Sequence, residues 1–97
     1  MYPVSHYHSI LRRHLPVLKE QFRVATLGVF GSYVRGTQRG DSDLDLLVTF
    51  SETPSLFRVI ELENHLSDLL GVKVDLVLRD SLKPAIGNRV RREVVLV

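Results

Sequence analysis

Cysteine is absent from this chain of 97 residues, so disulfide bonds and thiolate metal sites are excluded. Long apolar runs are absent as well, because no stretch approaches the roughly 20 residues that span a bilayer. The N-terminal segment MYPVSHYHS has no basic region followed by an apolar one, so we do not expect a secretory signal. These absences predict a cytoplasmic protein with no membrane partner.

The length fits one domain over residues 1–97, and a hydrophobic fraction of 44% is ordinary for a globular protein. A domain of this size leaves much of its apolar surface uncovered. A hetero-oligomer is therefore the expected assembly, with a homodimer as the second possibility.

Positive charge is unevenly distributed, although the formal net charge is only +2. A basic cluster occupies the C-terminal part of the chain and comprises Arg79, Lys83, Arg89, Arg91 and Arg92. Such a cluster fits a solvated helix face, or contact with an acidic partner, a nucleotide or RNA. Direct binding of nucleic acid is the least expected of these.

Hydrophobic periodicity predicts seven elements in the order α-β-α-β-α-β-α. Helices are expected over residues 5–22, within GSYVRG, over 55–71 and over about 81–93, and strands over 23–30, 42–50 and 72–78. Pro16 predicts a kink or a break in the first helix near His14, because proline removes a backbone donor. Ser55 and Gly71 fit the start and the end of the third helix, whereas the terminal VVLV is ambiguous.

This order predicts an α/β fold, close to the border with α+β, in which helices pack on a small mixed three-stranded sheet.

Three aspartates stand at or within predicted strands, where aspartate is unfavourable. Asp43 and Asp45 point to the same side of the second strand, and Asp75 lies inside the apolar third strand. If the strands are neighbours, the three carboxylates converge and repel one another, and a divalent cation would relieve that repulsion. Mg²⁺ prefers such oxygen ligands. The alternative is that each aspartate is a separate cap or turn residue.

Gly31 and Ser32 directly follow the first strand, where a short helix begins. Backbone N–H groups at such a turn attract anions, and glycine lets a phosphate approach closely. Arg35 follows one helical turn later and is placed to reach the same phosphate. Tyr33 fits either packing on a nucleotide or a place in the core.

Strand direction decides whether these two groups of residues form one site. In a parallel pair, Gly31 would lie on the order of 17 Å from Asp43, at the other end of the sheet. In an antiparallel pair, the end of the first strand meets the start of the second. We therefore predict antiparallel pairing, with the glycine turn beside the carboxylates.

The motif Gly31-Ser32, ten residues and then Asp43-Leu44-Asp45 resembles the signature of the DNA polymerase beta-like nucleotidyltransferases. The stretches GSYVRG and SDLDLLV resemble their smallest branch, the minimal nucleotidyltransferase (MNT) domains. VDLV and the tail LKPAIGNRVRREVV extend the resemblance over nearly the whole chain. Many MNT proteins are antitoxins encoded beside a HEPN-domain ribonuclease toxin.

The resemblance implies transfer of AMP from ATP to a hydroxyl group, most simply a tyrosine of the HEPN partner. It implies that two Mg²⁺ ions are held by Asp43, Asp45 and Asp75, that Asp75 helps to activate the acceptor hydroxyl, and that Gly31 and Ser32 bind the β- and γ-phosphates. Two other functions stay open: a non-catalytic antitoxin that inhibits its partner by binding, and a nucleotidyltransferase subunit that acts on a small molecule.

Overall fold

The computed structural model describes residues 2–97, which form four α-helices and a four-stranded sheet. The helices are α1 (Val4–Phe22), α2 (Ser32–Arg35), α3 (Leu56–Leu70) and α4 (Pro84–Glu93). The strands are β1 (Val24–Phe30), β2 (Leu44–Phe50), β3 (Val74–Leu78) and β4 (Val95–Leu96). A 3₁₀ turn over Arg79–Ser81 precedes α4. The predicted order of elements is confirmed, and β4 follows it.

The strands lie in the order β3-β2-β1-β4. β1 pairs with β2 and β4 in antiparallel fashion, whereas β2 and β3 are parallel. The mixed sheet and the antiparallel pairing of the first two strands are therefore as predicted. The sequence did not predict the fourth strand, because two residues are too few to show an alternation of polar and apolar side chains. Such a short segment forms a strand only where the edge of a sheet is available to pair with it.

One face of the sheet carries the hydrophobic core. Side chains of β2 at alternate positions, Leu44, Leu46 and Val48, are at most 1% exposed. They share a buried cluster with residues of α1 and α3, including Leu11, Leu18, Leu62 and Leu66. Because strand side chains alternate between faces, the residues between them must lie on the opposite face.

The opposite face of the sheet is covered by α4. Leu47 of β2 and Val90 of α4 are both buried there, outside the main cluster. Gly28 of β1 leaves room for this covering, since a Cβ at that position would collide with the side chain of Val94. The sheet thus has a thick core on one side and a single short helix on the side where Asp45 and Asp75 lie.

Pro16 does not divide the first helix. α1 runs without interruption from Val4 to Phe22 with Pro16 inside it, so the predicted break into two pieces is wrong. The loss of one backbone hydrogen bond is offset by burial on both sides of the proline, where Leu11 and Leu18 are fully buried. Tertiary packing therefore overrides the local preference.

α3 has the ends that its sequence predicts. The Ser55 hydroxyl accepts a hydrogen bond from the Arg58 N–H at 3.2 Å, and Gly71 ends the helix in the left-handed conformation with φ 67°. No helix among residues 2–97 is both long and apolar enough to cross a membrane.

Candidate active site

Two of the predicted carboxylates lie side by side on neighbouring strands. Asp45 of β2 is in register with Asp75 of β3, and on its other side it is opposite Phe30, the last residue of β1. Adjacent strands are about 4.8 Å apart, so the carboxylates of Asp45 and Asp75 face the same small volume. Asp43 immediately precedes β2 and is near enough for its charge to act on Asp45.

Negative charge is crowded around the Asp45 carboxyl group, and its pKa is raised as a result. Burial, followed by the charges of Asp75 and Asp43, raises its pKa from an ordinary value of 3.8 to about 6, against the opposing effect of Arg35. A carboxylate in this position is unfavourable unless positive charge is supplied.

Carboxylate oxygens are the ligands that Mg²⁺ prefers, and Mg²⁺ commonly takes only one or two of them together with phosphate oxygens. The donor chemistry of Asp45, Asp75 and Asp43 therefore fits Mg²⁺. Within residues 2–97, no three acidic or histidine side chains form a ready-made metal cage. Asp43 is turned towards Lys73, whose Nζ lies 4.0 Å from its carboxylate in an exposed ion pair.

Gly31 occupies a position that only glycine can fill. Its φ of 82° lies in the left-handed region, and a Cβ there would overlap the carboxylate of Asp45. The backbone of the turn after β1 is thus in direct contact with the carboxylate of β2. The two halves of the predicted site, glycine turn and aspartates, are brought together as antiparallel pairing requires.

The Gly31 N–H and the Arg35 side chain share a carboxylate that the sequence motif does not include. Glu93, the last residue of α4, accepts a hydrogen bond from the Gly31 N–H at 3.0 Å through Oε2. Its Oε1 accepts one from Arg35 Nη1 at 2.5 Å. Burial by itself would raise the pKa of Glu93, but these two donors, with the nearby charge of Arg89, lower it.

A cavity of about 220 Å³ lies beside this group of residues. It is lined by Phe30, Gly31, Arg35, Asp45, Ile86, Arg89, Val90 and Glu93. Asp75 is in register with Asp45 but is exposed outside this lining, and Ser32 begins α2 next to Gly31. A larger cavity, of about 400 Å³, lies at the other end of β2 and has none of the predicted site residues in its lining.

Tyr33 has a core role. It is 4% exposed, and its ring packs edge-to-face against Tyr7 with the ring centroids 5.4 Å apart. Of the two roles that the sequence left open, packing in the core is the one that the structure supports.

The basic cluster is divided among three cavities. Arg89 lines the cavity of the candidate site, whereas Arg91 lines two others together with Arg79, over Leu47. In the sequence these arginines form one basic cluster, and Glu93 is not part of the predicted site. The available signal was the four-residue spacing of Arg89 and Glu93, which places both on one face of a helix.

The profile of the family described as "Nucleotidyltransferase domain" matches residues 11–97. The protein adenylyltransferase MntA of Thermococcus cleftensis is 53% identical over 97 residues, which cover 100% of this chain and 98% of that protein.

Two solved structures resemble the chain closely in fold. The structure of a provisionally assigned minimal nucleotidyltransferase has a TM-score of 0.74 at 37% identity, covering 94% of this chain and 88% of that one. A toxin–antitoxin structure with AMP-PNP has a TM-score of 0.68 at 28% identity, covering 91% of this chain and 66% of that one. With its glycine turn packed against the strand aspartates, the chain belongs to the nucleotidyltransferase domain family and is a nucleotidyltransferase of the minimal, MntA-like kind.

Proposed function

We propose that this protein transfers AMP from ATP to a tyrosine hydroxyl of a HEPN-domain toxin and so acts as the antitoxin of that toxin. The single observation that carries the site is the register of Phe30, Asp45 and Asp75, which sets the glycine turn and two carboxylates around one volume. The identity with the protein adenylyltransferase MntA supports a protein as the acceptor. The toxin–antitoxin neighbour with AMP-PNP supports both a toxin partner and an adenine nucleotide.

In the proposed reaction, the acceptor oxygen forms a bond to the α-phosphorus while the bond from that phosphorus to the bridging oxygen breaks. Pyrophosphate leaves with that oxygen. Asp75 is exposed at the edge of the site and takes the proton of the acceptor hydroxyl. The β- and γ-phosphates are held by Gly31, Ser32 and Arg35, so that the leaving pyrophosphate lies opposite the oxygen that attacks the α-phosphorus. Such positioning of the reacting groups is the larger part of this kind of catalysis.

Asp43, Asp45 and Asp75 are the residues that would hold Mg²⁺. When bound, Mg²⁺ supplies positive charge for the triphosphate and the leaving pyrophosphate. The raised pKa of Asp45 supports this assignment, because burial and the charges of Asp75 and Asp43 oppose its ionised form more strongly than Arg35 favours it. Lys73 would release Asp43 readily, since exposed ion pairs contribute little.

The proposed assembly is a complex of this chain with the toxin in the cytoplasm. The site cavity, at about 220 Å³, is below the usual range for a drug-sized ligand, so the partner is expected to complete the pocket for the base and the acceptor.

The test is transfer of labelled AMP from ATP to a purified HEPN-domain toxin, with Mg²⁺ present. We expect the Asp43→Asn, Asp45→Asn double variant to lose at least about a hundredfold in rate, because positioning and charge stabilisation both depend on these ligands. Asp68→Asn, an exposed change on α3, is the matched control and should transfer normally. Undiminished transfer by the double variant would refute the metal-site assignment. Inhibition of the toxin by the double variant without any transfer would favour an antitoxin that acts by binding.

A further inference from the structure

Glu93 lies at the proposed triphosphate site although no part of the catalytic motif includes it. Its side chain is 15% exposed, and each of its carboxylate oxygens has its own donor: the Gly31 N–H at 3.0 Å and Arg35 Nη1 at 2.5 Å. The carboxylate is therefore charged and held at two points. This contact joins the end of α4 to the turn after β1, across 62 residues of sequence.

The donors that hold Glu93 are those that a phosphate would use. A backbone N–H and a guanidinium group bind carboxylate and phosphate oxygens with the same geometry. Asp45 and Arg89 line the adjoining cavity of about 220 Å³, so a polyphosphate entering it would meet Glu93 already bound to Gly31 and Arg35. Two anions cannot share these donors without strong repulsion.

We propose that Glu93 occupies the position of a nucleotide phosphate and that it must leave Gly31 and Arg35 before the triphosphate binds. Glu93 thereby sets the affinity for ATP. This inference rests on the proposed function, since it takes the triphosphate site from there.

The surroundings of Glu93 permit this exchange. Arg89 lies one helical turn earlier on α4 and lines the same cavity, so it can pair with the carboxylate once Gly31 and Arg35 are released. Glu93 is the last residue of α4, and the strand β4 begins two residues later. The exchange needs only a rotation of the Glu93 side chain about its own bonds, which leaves Val90 buried and β4 paired with β1.

The test is binding of ATP with Mg²⁺, and of inorganic tripolyphosphate, by isothermal titration calorimetry. We expect Glu93→Gln to bind both ligands about threefold to tenfold more tightly than the unmodified chain, because a competing group lowers the apparent affinity by the fraction of time that it blocks the site. Glu93→Asp keeps the charge but shortens the side chain by one methylene, and its affinity should rise in the same direction. Glu61→Gln, an exposed change on α3 with the same effect on net charge, should leave both affinities unchanged.

The role of Arg35 gives a second test. In an Arg35→Ala background, the gain from Glu93→Gln should shrink, because the guanidinium that it frees is missing. A merely structural Glu93 would produce the opposite sign, since loss of its contacts would weaken ATP binding.

Each result decides between the two proposals. If the unmodified chain binds ATP and both Glu93 variants bind it equally or more weakly, Glu93 is not a competitor, while the nucleotide site stands. A gain that Glu61→Gln reproduces would show a general effect of charge and would likewise overturn the role of Glu93. If neither the unmodified chain nor the folded Glu93 variants bind ATP, the triphosphate site itself is wrong, and both proposals fall.

Discussion

Replacing Asp45 with asparagine should stabilise the metal-free protein above neutral pH. The pKa of this carboxyl group is raised from 3.8 to about 6, first by burial and then by Asp75 and Asp43. A raised pKa means that folding favours the protonated form. The resulting stabilisation is full below the unfolded value of 3.8 and is lost as the pH rises through about 6.

The magnitude follows from the same shift. Each pKa unit corresponds to about 1.4 kcal/mol, so the shift from 3.8 to about 6 has a full value of about 3 kcal/mol. Because Asp45 is only half-buried, solvent screening reduces this to about 1–2 kcal/mol. For a domain of this size, each kcal/mol changes the melting temperature by about 4–8 °C.

The assay is thermal and urea unfolding with a metal chelator present, at pH 7.5 and at pH 4.5. At pH 7.5 the Asp45→Asn variant should melt about 4–16 °C above the unmodified chain, and at pH 4.5 most of this difference should vanish. Asp68→Asn on α3 is the matched control and should behave like the unmodified chain at both pH values. An equal rise in melting temperature at both pH values, or no rise at pH 7.5, would refute the view that the crowding of carboxylates around Asp45 destabilises the fold.

Two further substitutions test the turn and the basic cluster. Gly31→Ala should cost about 2–3 kcal/mol of folding free energy and abolish ATP binding, because the backbone at residue 31 is left-handed and the added Cβ would meet Asp45. Gly36 is also left-handed, with φ 72°, but has open space around it. Gly36→Ala should therefore cost only about 1 kcal/mol and keep ATP binding. Equal effects at the two glycines, measured by urea unfolding and calorimetry, would contradict the close approach to Asp45. Arg91→Glu with Arg92→Glu should weaken the complex with the toxin by more than it weakens ATP binding, because Arg91 lines cavities away from the site, whereas Arg89→Glu should do the reverse. A larger loss of ATP affinity in the Arg91, Arg92 variant would place those arginines at the nucleotide instead.

Structural features that involve only residues close together in the chain could be predicted from the sequence. Ser55 and Gly71 predicted the ends of α3, since capping involves only residues within one turn. The direction of the β1–β2 pair was also predictable, because the glycine turn and the aspartates are twelve residues apart and can meet only if the strands are antiparallel. The roles of the predicted site residues in binding metal and nucleotide remain predictions.

Other features depended on contacts between distant parts of the chain. Pro16 predicted a kink or a break in α1, yet the helix is continuous, with Leu11 and Leu18 buried on either side of the proline. Tyr33 could be placed only when its neighbour Tyr7, on α1, was known. In each case the energy of packing exceeds the local preference of the residue.

The sequence by itself determined the residues of the glycine turn and the aspartates, because motif spacing and strand alternation act over a few residues. Only the tertiary structure decided that Glu93 binds Gly31 and Arg35, and that Arg89 and Arg91 line different cavities. The physical reason is that α4 follows β1, β2 and β3 in the sequence and packs on the face of the sheet opposite the main core. Which of its side chains reaches which partner depends on the position of the whole helix, and no local pattern of residues encodes that position.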